Sequence, residues 1–465
     1  MLNIQKIGVN SNINSICSTN ISEQNKAQQT NKNNVCSNPI ETKRASSTNL
    51  MAYHPSFTSK TKEAKNTLPS EKEQLKTIKS LLDKNTQTLL NKLEKKGILT
   101  DRSSNDGSSV LENLYKITTE ARIPGLSTKQ ILSEVIRALD NPASITQKFG
   151  DIPDNVAAQI EQETGKAFPN QARNVISSSC VVASMEYSLA SKNPAEFARF
   201  AQGLTSQEYC VDKNIKMSDI AEGTASALWH LREFNTEHTI PKNWEDVTVK
   251  IKPDRNAIVR ARVQTSYKDP DERSCVDVLI QSALLNLGSQ HTYDALTDER
   301  TGKFNNDKSG LTDFEKTFVE QIVFGKPKIS VVYQSLDDNG YLVGYNCKLS
   351  ETKQHILKSL ELGENVIVGY THLDENNQVN GGHEITITGY RQDSNGNGYF
   401  ICNDTDDNID RLIEYKEDDL LPLIHHAGIS KAALNEDDVV VEPWREILNE
   451  FQQMLAEEKT VQNKV

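Results

Sequence analysis

The spacing of apolar residues changes twice along the 465-residue chain. Residues 1–69 hold few large apolar side chains among Asn, Ser, Thr, Gln and Lys, and such a composition cannot bury enough surface to offset its ordering entropy, which predicts disorder. From Ser70 the period becomes helical: Leu75, Ile78, Leu81 and Leu82, then Leu89, Leu90 and Leu93, ending near Gly97. Val110 to Ala121 and Ser127 to Asp140 continue it, the latter with an N-cap Ser127 and a stop before Asn141-Pro142. Residues 70–165 therefore read as an all-helical module, either a pro-segment or a spacer that docks a partner.

Beyond a loop-like Phe168 to Arg173, a helix is predicted from Cys180 through Met185, Tyr187 and Leu189 to Lys192, and Asn193-Pro194 opens another. The text stays mainly helical to about residue 325, with a helix over Val276 to Leu287 and a capping box Thr312-x-x-Glu315. Short strands are expected at Val247 to Ile251 and Ile258 to Val263. From Lys328 the period becomes two, predicting strands at 329–334, 341–345, 366–370, 384–390 and 399–402, with one helix from Glu351 to Leu362. Residues 166–430 thus read as an α+β domain, a helical half followed by an antiparallel sheet half. In 431–465 an acidic segment, Asp437 to Val441, precedes an amphipathic helix from Pro443 with Trp444, Ile447, Phe451 and Met454 on its apolar stripe.

A net charge of -12 and no basic cluster argue against a nucleic-acid or anionic-membrane partner. No apolar run approaches the roughly 20 residues of a membrane helix, and Met1 to Asn20 lacks a secretory signal. A cytoplasmic protein is expected, leaderless secretion as an effector being compatible with it. The seven cysteines show no CxxC spacing, so neither a zinc site nor a disulfide framework is indicated. Cys17 and Cys36 lie in the polar N-terminus with no base fixed beside them.

Candidate chemistry gathers in Gly381-Gly382-His383 and the strand after it. A hairpin closed by Asp393 to Gly398 brings the end of Tyr399 to Cys402, with Asn403 and Asp404, beside His383. A histidine backed by a carboxylate or amide is half of a nucleophilic site. Cys180 supplies the other half: Ser177 to Ser179 leave it unshielded, and a helix N-terminus favours thiolate. In the plain packing alternative Cys180 is a small buried residue. Cys275, also at the head of an apolar helix, is a rival nucleophile, but Asp271, Glu272 and Asp277 would raise its pKa. Asp404-x-Asp406-x-Asn408 imitates the start of a calcium loop, yet Ile409 stands where Gly is needed and Tyr415 where the bidentate Glu belongs. The pair His425-His426 reads as surface or packing.

Taken together, Cys180 at a helix head, His383-x-x-x-x-x-Gly389-Tyr390, and Tyr399-x-x-x-x-Asp404, in that order, resemble the papain-like thiol peptidase superfamily. The passage Leu360 to Tyr370, a loop, and then Gly-Gly-His is similar to that of papain-like and bacteriocin-processing peptidases. The resemblance implies that Cys180 attacks a carbonyl of a protein or peptide substrate, His383 pairs with the thiolate and protonates the leaving group, and Asp404 orients the ring, without a cofactor. It implies an oxyanion-binding amide before the nucleophile: Asn174 stands at the usual spacing of six where the family has Gln, and Gln171 lies nine before. Asn403 is the alternative orienter. The chain lacks the usual Gly-x-Cys-Trp, having Ser179 and Val181 around the thiol, and no Trp closely follows Asp404. The same acyl-enzyme intercepted by an amine would make an acyltransferase, and loss of the chemistry would leave an interaction module.

Overall fold

A computed structural model describes residues 68–148, 178–216, 246–266, 273–289, 293–296, 298–300, 310–406 and 410–434, with positions 158, 161, 162 and 165. The fold is α+β. Helices α1 (Glu71–Leu81), α2 (Lys84–Lys95), α3 (Val110–Thr119) and α4 (Thr128–Asp140) lead, followed by α5 (Cys180–Lys192) and α6 (Pro194–Leu204). A hairpin of β1 (Val211–Lys216) and β2 (Asp246–Ile251) precedes α7 (Arg255–Ser266) and α8 (Cys275–Gly288). A two-residue pairing of β3 (Tyr293–Asp294) with β4 (Glu299–Arg300) then leads to α9 (Asp313–Phe324).

Local chemistry sets most of these boundaries. The first helical run divides in two because Leu82 is extended and the Asp83 carboxylate accepts from Thr86 N–H, starting a new helix. Ser127 caps α4, and the capping box at Thr312 and Glu315 opens α9, as the pattern predicts. The expected strand at 258–263 is instead part of α7. Its alternating apolar and polar residues resemble a strand, but Asp254 starts a helix by accepting from Asn256 N–H, and Ala257, Arg260, Ala261 and Gln264 fall on one buried face. β1 lies inside text read as helical; its short alternation, buried at Val211, Lys213 and Ile215, pairs with β2.

The second half holds β5 (Lys328–Val332), the hairpin β6 (Gln334–Leu336) with β7 (Leu342–Tyr345), α10 (Leu349–Glu361), β8 (Val366–Leu373), β9 (Val379–Gln392), β10 (Gly398–Asn403), β11 (Ile413–Lys416), the short α11 (Glu417–Leu420) and β12 (Ile424–Ser430). Six strands form one sheet in the order β11-β10-β9-β8-β12-β5, every pairing antiparallel. β12, which pattern did not mark as a strand, lies inside the sheet between β8 and β5 and is buried at every residue, so the run His425-His426-Ala427-Gly428 lacks the two-period alternation of a half-exposed strand.

The sheet separates two cores. On one side Ile78, Leu90, Leu114 and Ile131 of the first four helices join Val182, Met185, Phe197, Leu279 and Val319 in a single cluster. On the other, Val331, Ile356, Val366, Val368, Ile385, Phe400 and Ile424 pack together. β8 serves both, turning Ile367 to the helices and its neighbours Val366 and Val368 to the far core. α5 is buried from Val181 to Ala190, and a helix apolar on every side belongs at the centre of a fold. Among the described residues no helix is long and apolar enough to cross a membrane. The N-terminal stretch before residue 68 and the acidic segment and helix expected after 434 lie outside the described residues.

Candidate active site

α5 begins at Cys180, so the first N–H groups of a buried helix, which have no partner within the helix, cluster around a half-buried thiol. The residues ahead of it are held from behind. Ser178 N–H donates to Asp298 Oδ2 at 3.1 Å, and the Asp298 carboxylate is gripped by Arg273 Nη1 at 3.3 Å and by the Tyr293 hydroxyl. Asp298 adopts a left-handed backbone (φ 57°), a conformation Asp tolerates better than most residues, consistent with a residue constrained by its partners. Gly310 closes the other side: a Cβ there would stand 2.4 Å from the Ser178 carbonyl oxygen. Ser179, fully buried, donates from Oγ to Gln281 Oε1 at 3.1 Å.

His383 lies within β9, four residues past its start, and pairs with Tyr370 of β8. Opposed residues of an antiparallel pair share a face, and the Tyr370 ring meets the imidazole edge-on at a centroid distance of 5.8 Å. His383 Nε2 lies 2.8 Å from Asp404 Oδ1. A carboxylate can only accept, so Nε2 carries the proton and Nδ1 is the nitrogen left for Cys180, whose side chain also favours the charged ring. Burial presses His383 towards its neutral form, but the bonds to Asp404 and Cys180 and their charges prevail and hold its pKa well above the ordinary histidine range. Asp404 moves the other way: burial would raise it, but His383, the Asp406 N–H and Tyr415 keep its carboxyl below the usual value.

Asp404 faces the histidine because the β9–β10 ladder slips. Ile401 pairs with Gly389 but Cys402 pairs with Ile387, a bulge that re-aims the strand end. Asn403 is consequently buried, paired with Thr386, and does not reach His383, so the alternative orienter drops out. Asn174 and Gln171 lie outside the described residues. Cys275 does head a helix, but it is buried with Sγ 2.9 Å from Glu134 Oε2, and burial together with that carboxylate pushes the thiol pKa well up. His425 and His426 are both buried, which leaves packing rather than surface as their setting.

Tyr415 has a larger part than pattern suggested. From β11 its hydroxyl donates to Asp404 Oδ2 at 2.9 Å, while Oδ1 accepts from His383 and from Asp406 N–H at 3.0 Å, so both oxygens of the carboxylate are held. The alternation of Ile413 to Lys416 was the only available signal for β11, and it says nothing about which carboxylate its tyrosine meets. His372, on the same face of β8 as Tyr370, is exposed beside the site, its ring 5.2 Å from that of Tyr370. The part of the ring that packs against the protein is desolvated, and this together with the charge on His383 lowers its pKa. No protein-family model, curated protein or solved structure matches the chain.

Proposed function

We propose that the chain is a papain-like thiol hydrolase that cleaves peptide or isopeptide bonds. One observation carries this reading: a single imidazole, His383, is hydrogen-bonded through Nε2 to a fixed carboxylate and interacts on its other side with a half-buried cysteine at a helix start. In the proposed cycle the Cys180 thiolate attacks a carbonyl carbon, and the developing oxyanion is met by the N–H of Cys180 at the helix start. His383 gives its Nδ1 proton to the leaving amine as the C–N bond breaks, leaving an acyl-thioester. The now neutral ring takes a proton from water, the resulting attack breaks the C–S bond, and a carboxylic acid leaves with the thiolate restored. Asp404, tied by Tyr415 and Asp406 N–H, keeps the ring turned for both transfers.

The test is to incubate the full chain with a broad peptide library and score new termini by mass spectrometry. Termini that vanish in Cys180→Ala are the expected result. No cleavage by the wild type, or equal cleavage by Cys180→Ala, overturns the reading, and adducts to added amines in place of free acids would make the protein an acyltransferase.

A further inference from the structure

Asp404 stands on a loop past the end of a strand, where a side chain is not held by the ladder, yet its chemistry requires placement to within about half an ångström. The next residue, Thr405, is 1% exposed and is held three times by the segment that follows α4. Its carbonyl accepts from Gln147 N–H and from Thr146 Oγ1, each at 3.0 Å, and its own hydroxyl donates to Gln147 Oε1 at 3.0 Å. A fourth tie comes from Asn141 Nδ2, which donates to the carbonyl of Asp410 at 2.9 Å, five residues farther along the chain.

The same segment reaches the nucleophile. Thr146 O accepts from Gln281 Nε2 at 2.9 Å; that amide also donates to Glu186 Oε2 of α5 at 2.9 Å, and its oxygen accepts from Ser179 Oγ at 3.1 Å. Gln281, Ser179 and Gln147 are each 0% exposed. A path buried everywhere but at the half-buried Thr146, from Ser179 to Gln281 to Thr146-Gln147 to Thr405, therefore joins the residue before Cys180 to the residue after Asp404. Hydrogen bonds shielded from water are stiff, and breaking one strands a buried polar atom, so this path has one favourable length.

We propose that residues 141–148 are a positioning strap, which through Gln281 and Thr405 sets the separation of Cys180 and Asp404 across His383, so that the N-terminal helices are part of the working site and not a segment to be removed. The proposal rests on the Cys-His-Asp reading given above. A pro-segment covering the cleft would instead leave the site intact when cut away.

The test measures alkylation of Cys180 by limiting iodoacetamide from pH 5 to 9 in the full chain, with Cys210 as internal reference, alongside kcat and KM for a cleaved peptide. Thr405→Val keeps the shape and removes the hydroxyl. It should slow Cys180 at pH 6 by about ten-fold, leave Cys210 unchanged, recover above pH 8, and lower kcat with KM little altered. Thr405→Ser should restore the wild-type profile. A wild-type profile in Thr405→Val overturns the strap. If Thr405→Val does not fold by circular dichroism, Asn141→Ala takes its place with an expected loss of about three-fold in the same direction, and no loss again overturns the proposal. A wild-type Cys180 that reacts no faster than Cys210 at pH 6 is a different failure, since it removes the thiolate–imidazolium pair itself.

Discussion

Two histidines in this fold sit between a hydroxyl or thiol and an aspartate, and they are arranged in opposite senses. His383 donates a hydrogen bond from Nε2–H to Asp404 and keeps Nδ1 for Cys180. His426 lies 2.7 Å from Ser330 Oγ through Nε2, and its Nδ1 is 3.7 Å from Asp313 Oδ1. Closer to the same nitrogen, however, stands Lys316 Nζ, 3.3 Å from Nδ1 and ion-paired with Glu384 Oε2 at 2.6 Å. An ammonium can only donate, so Nδ1 must accept, Nε2 must carry the proton, and Ser330 receives a hydrogen bond instead of losing its own proton. Ser330 and His426 are also buried beyond reach of a substrate. The comparison teaches that residue types in the right order do not make a nucleophile. What decides is which nitrogen the carboxylate claims and whether a cation lies closer to that nitrogen than the carboxylate does.

The largest effect expected from this contrast is on turnover. His383→Ala should lower peptide cleavage by at least about a thousand-fold, because it removes the proton shuttle of both steps. Ser330→Ala, which removes a hydrogen-bond acceptor from a neutral ring, should leave turnover within about two-fold in protein that folds. Comparable losses in the two variants, measured on one peptide, would erase the distinction between the clusters.

A sharper version concerns neighbouring residues on one loop. Asp404→Ala should cost roughly ten-fold to ten-thousand-fold in kcat, with Asp404→Asn milder, while Asn403→Ala stays near wild type. Steady-state kinetics decide it: a large loss in Asn403→Ala with Asp404→Ala unaffected would exchange the two roles and contradict the 2.8 Å contact of His383 with Asp404.

How much of this could be read beforehand follows from what local pattern encodes. Periodicity reports which face of an element is buried, and it located α5 at Cys180, the capped start of α9, and the hairpin that carries His383 to Asp404. It cannot report partners distant in sequence. The bulge at Ile401/Cys402, the Tyr415 bond to Asp404 and the strap from Thr146 and Gln147 to Thr405 all depend on contacts between separate elements. β12 escaped because a strand covered on both faces needs no alternation, and α7 was misread because its Ile258 to Val263 alternates by coincidence while its buried residues recur at three and four. The likeness of the Ser330 trio to a catalytic one was equally invisible, since Asp313, Ser330 and His426 stand on three elements.

The smallest effect, and the one that bears on protonation directly, is in stability against pH. His383 faces Cys180, Asp404, Tyr370 and His372, and its pKa in the fold lies well above the ordinary 6.5. The folded state therefore holds a proton that the unfolded chain releases, and this contribution is full below about pH 6.5 and lost as pH rises through the folded value. His426 faces Asp313 and Lys316 of α9, Ser330 of β5 and His425, and burial, with Lys316 and His425, drives its pKa down to about 3 against the pull of Asp313. Here the unfolded chain takes up a proton that the fold refuses, so stability falls as pH drops from about 6.5 towards 3. The two should appear with opposite signs in thermal melts at pH 5 and pH 8, each variant compared with wild type so that other groups cancel. His383→Gln should be more damaging at pH 5 than at pH 8, and His426→Gln less damaging at pH 5 than at pH 8. For His426 the difference approaches about 2 kcal/mol, the cost of 1.5 pKa units between pH 5 and an unfolded histidine, or a few degrees in Tm, and for His383 the opposite sign is the test. The same sign in both variants would mean that the two imidazoles share one protonation state, and that Lys316 does not distinguish the buried trio from the Cys180 site.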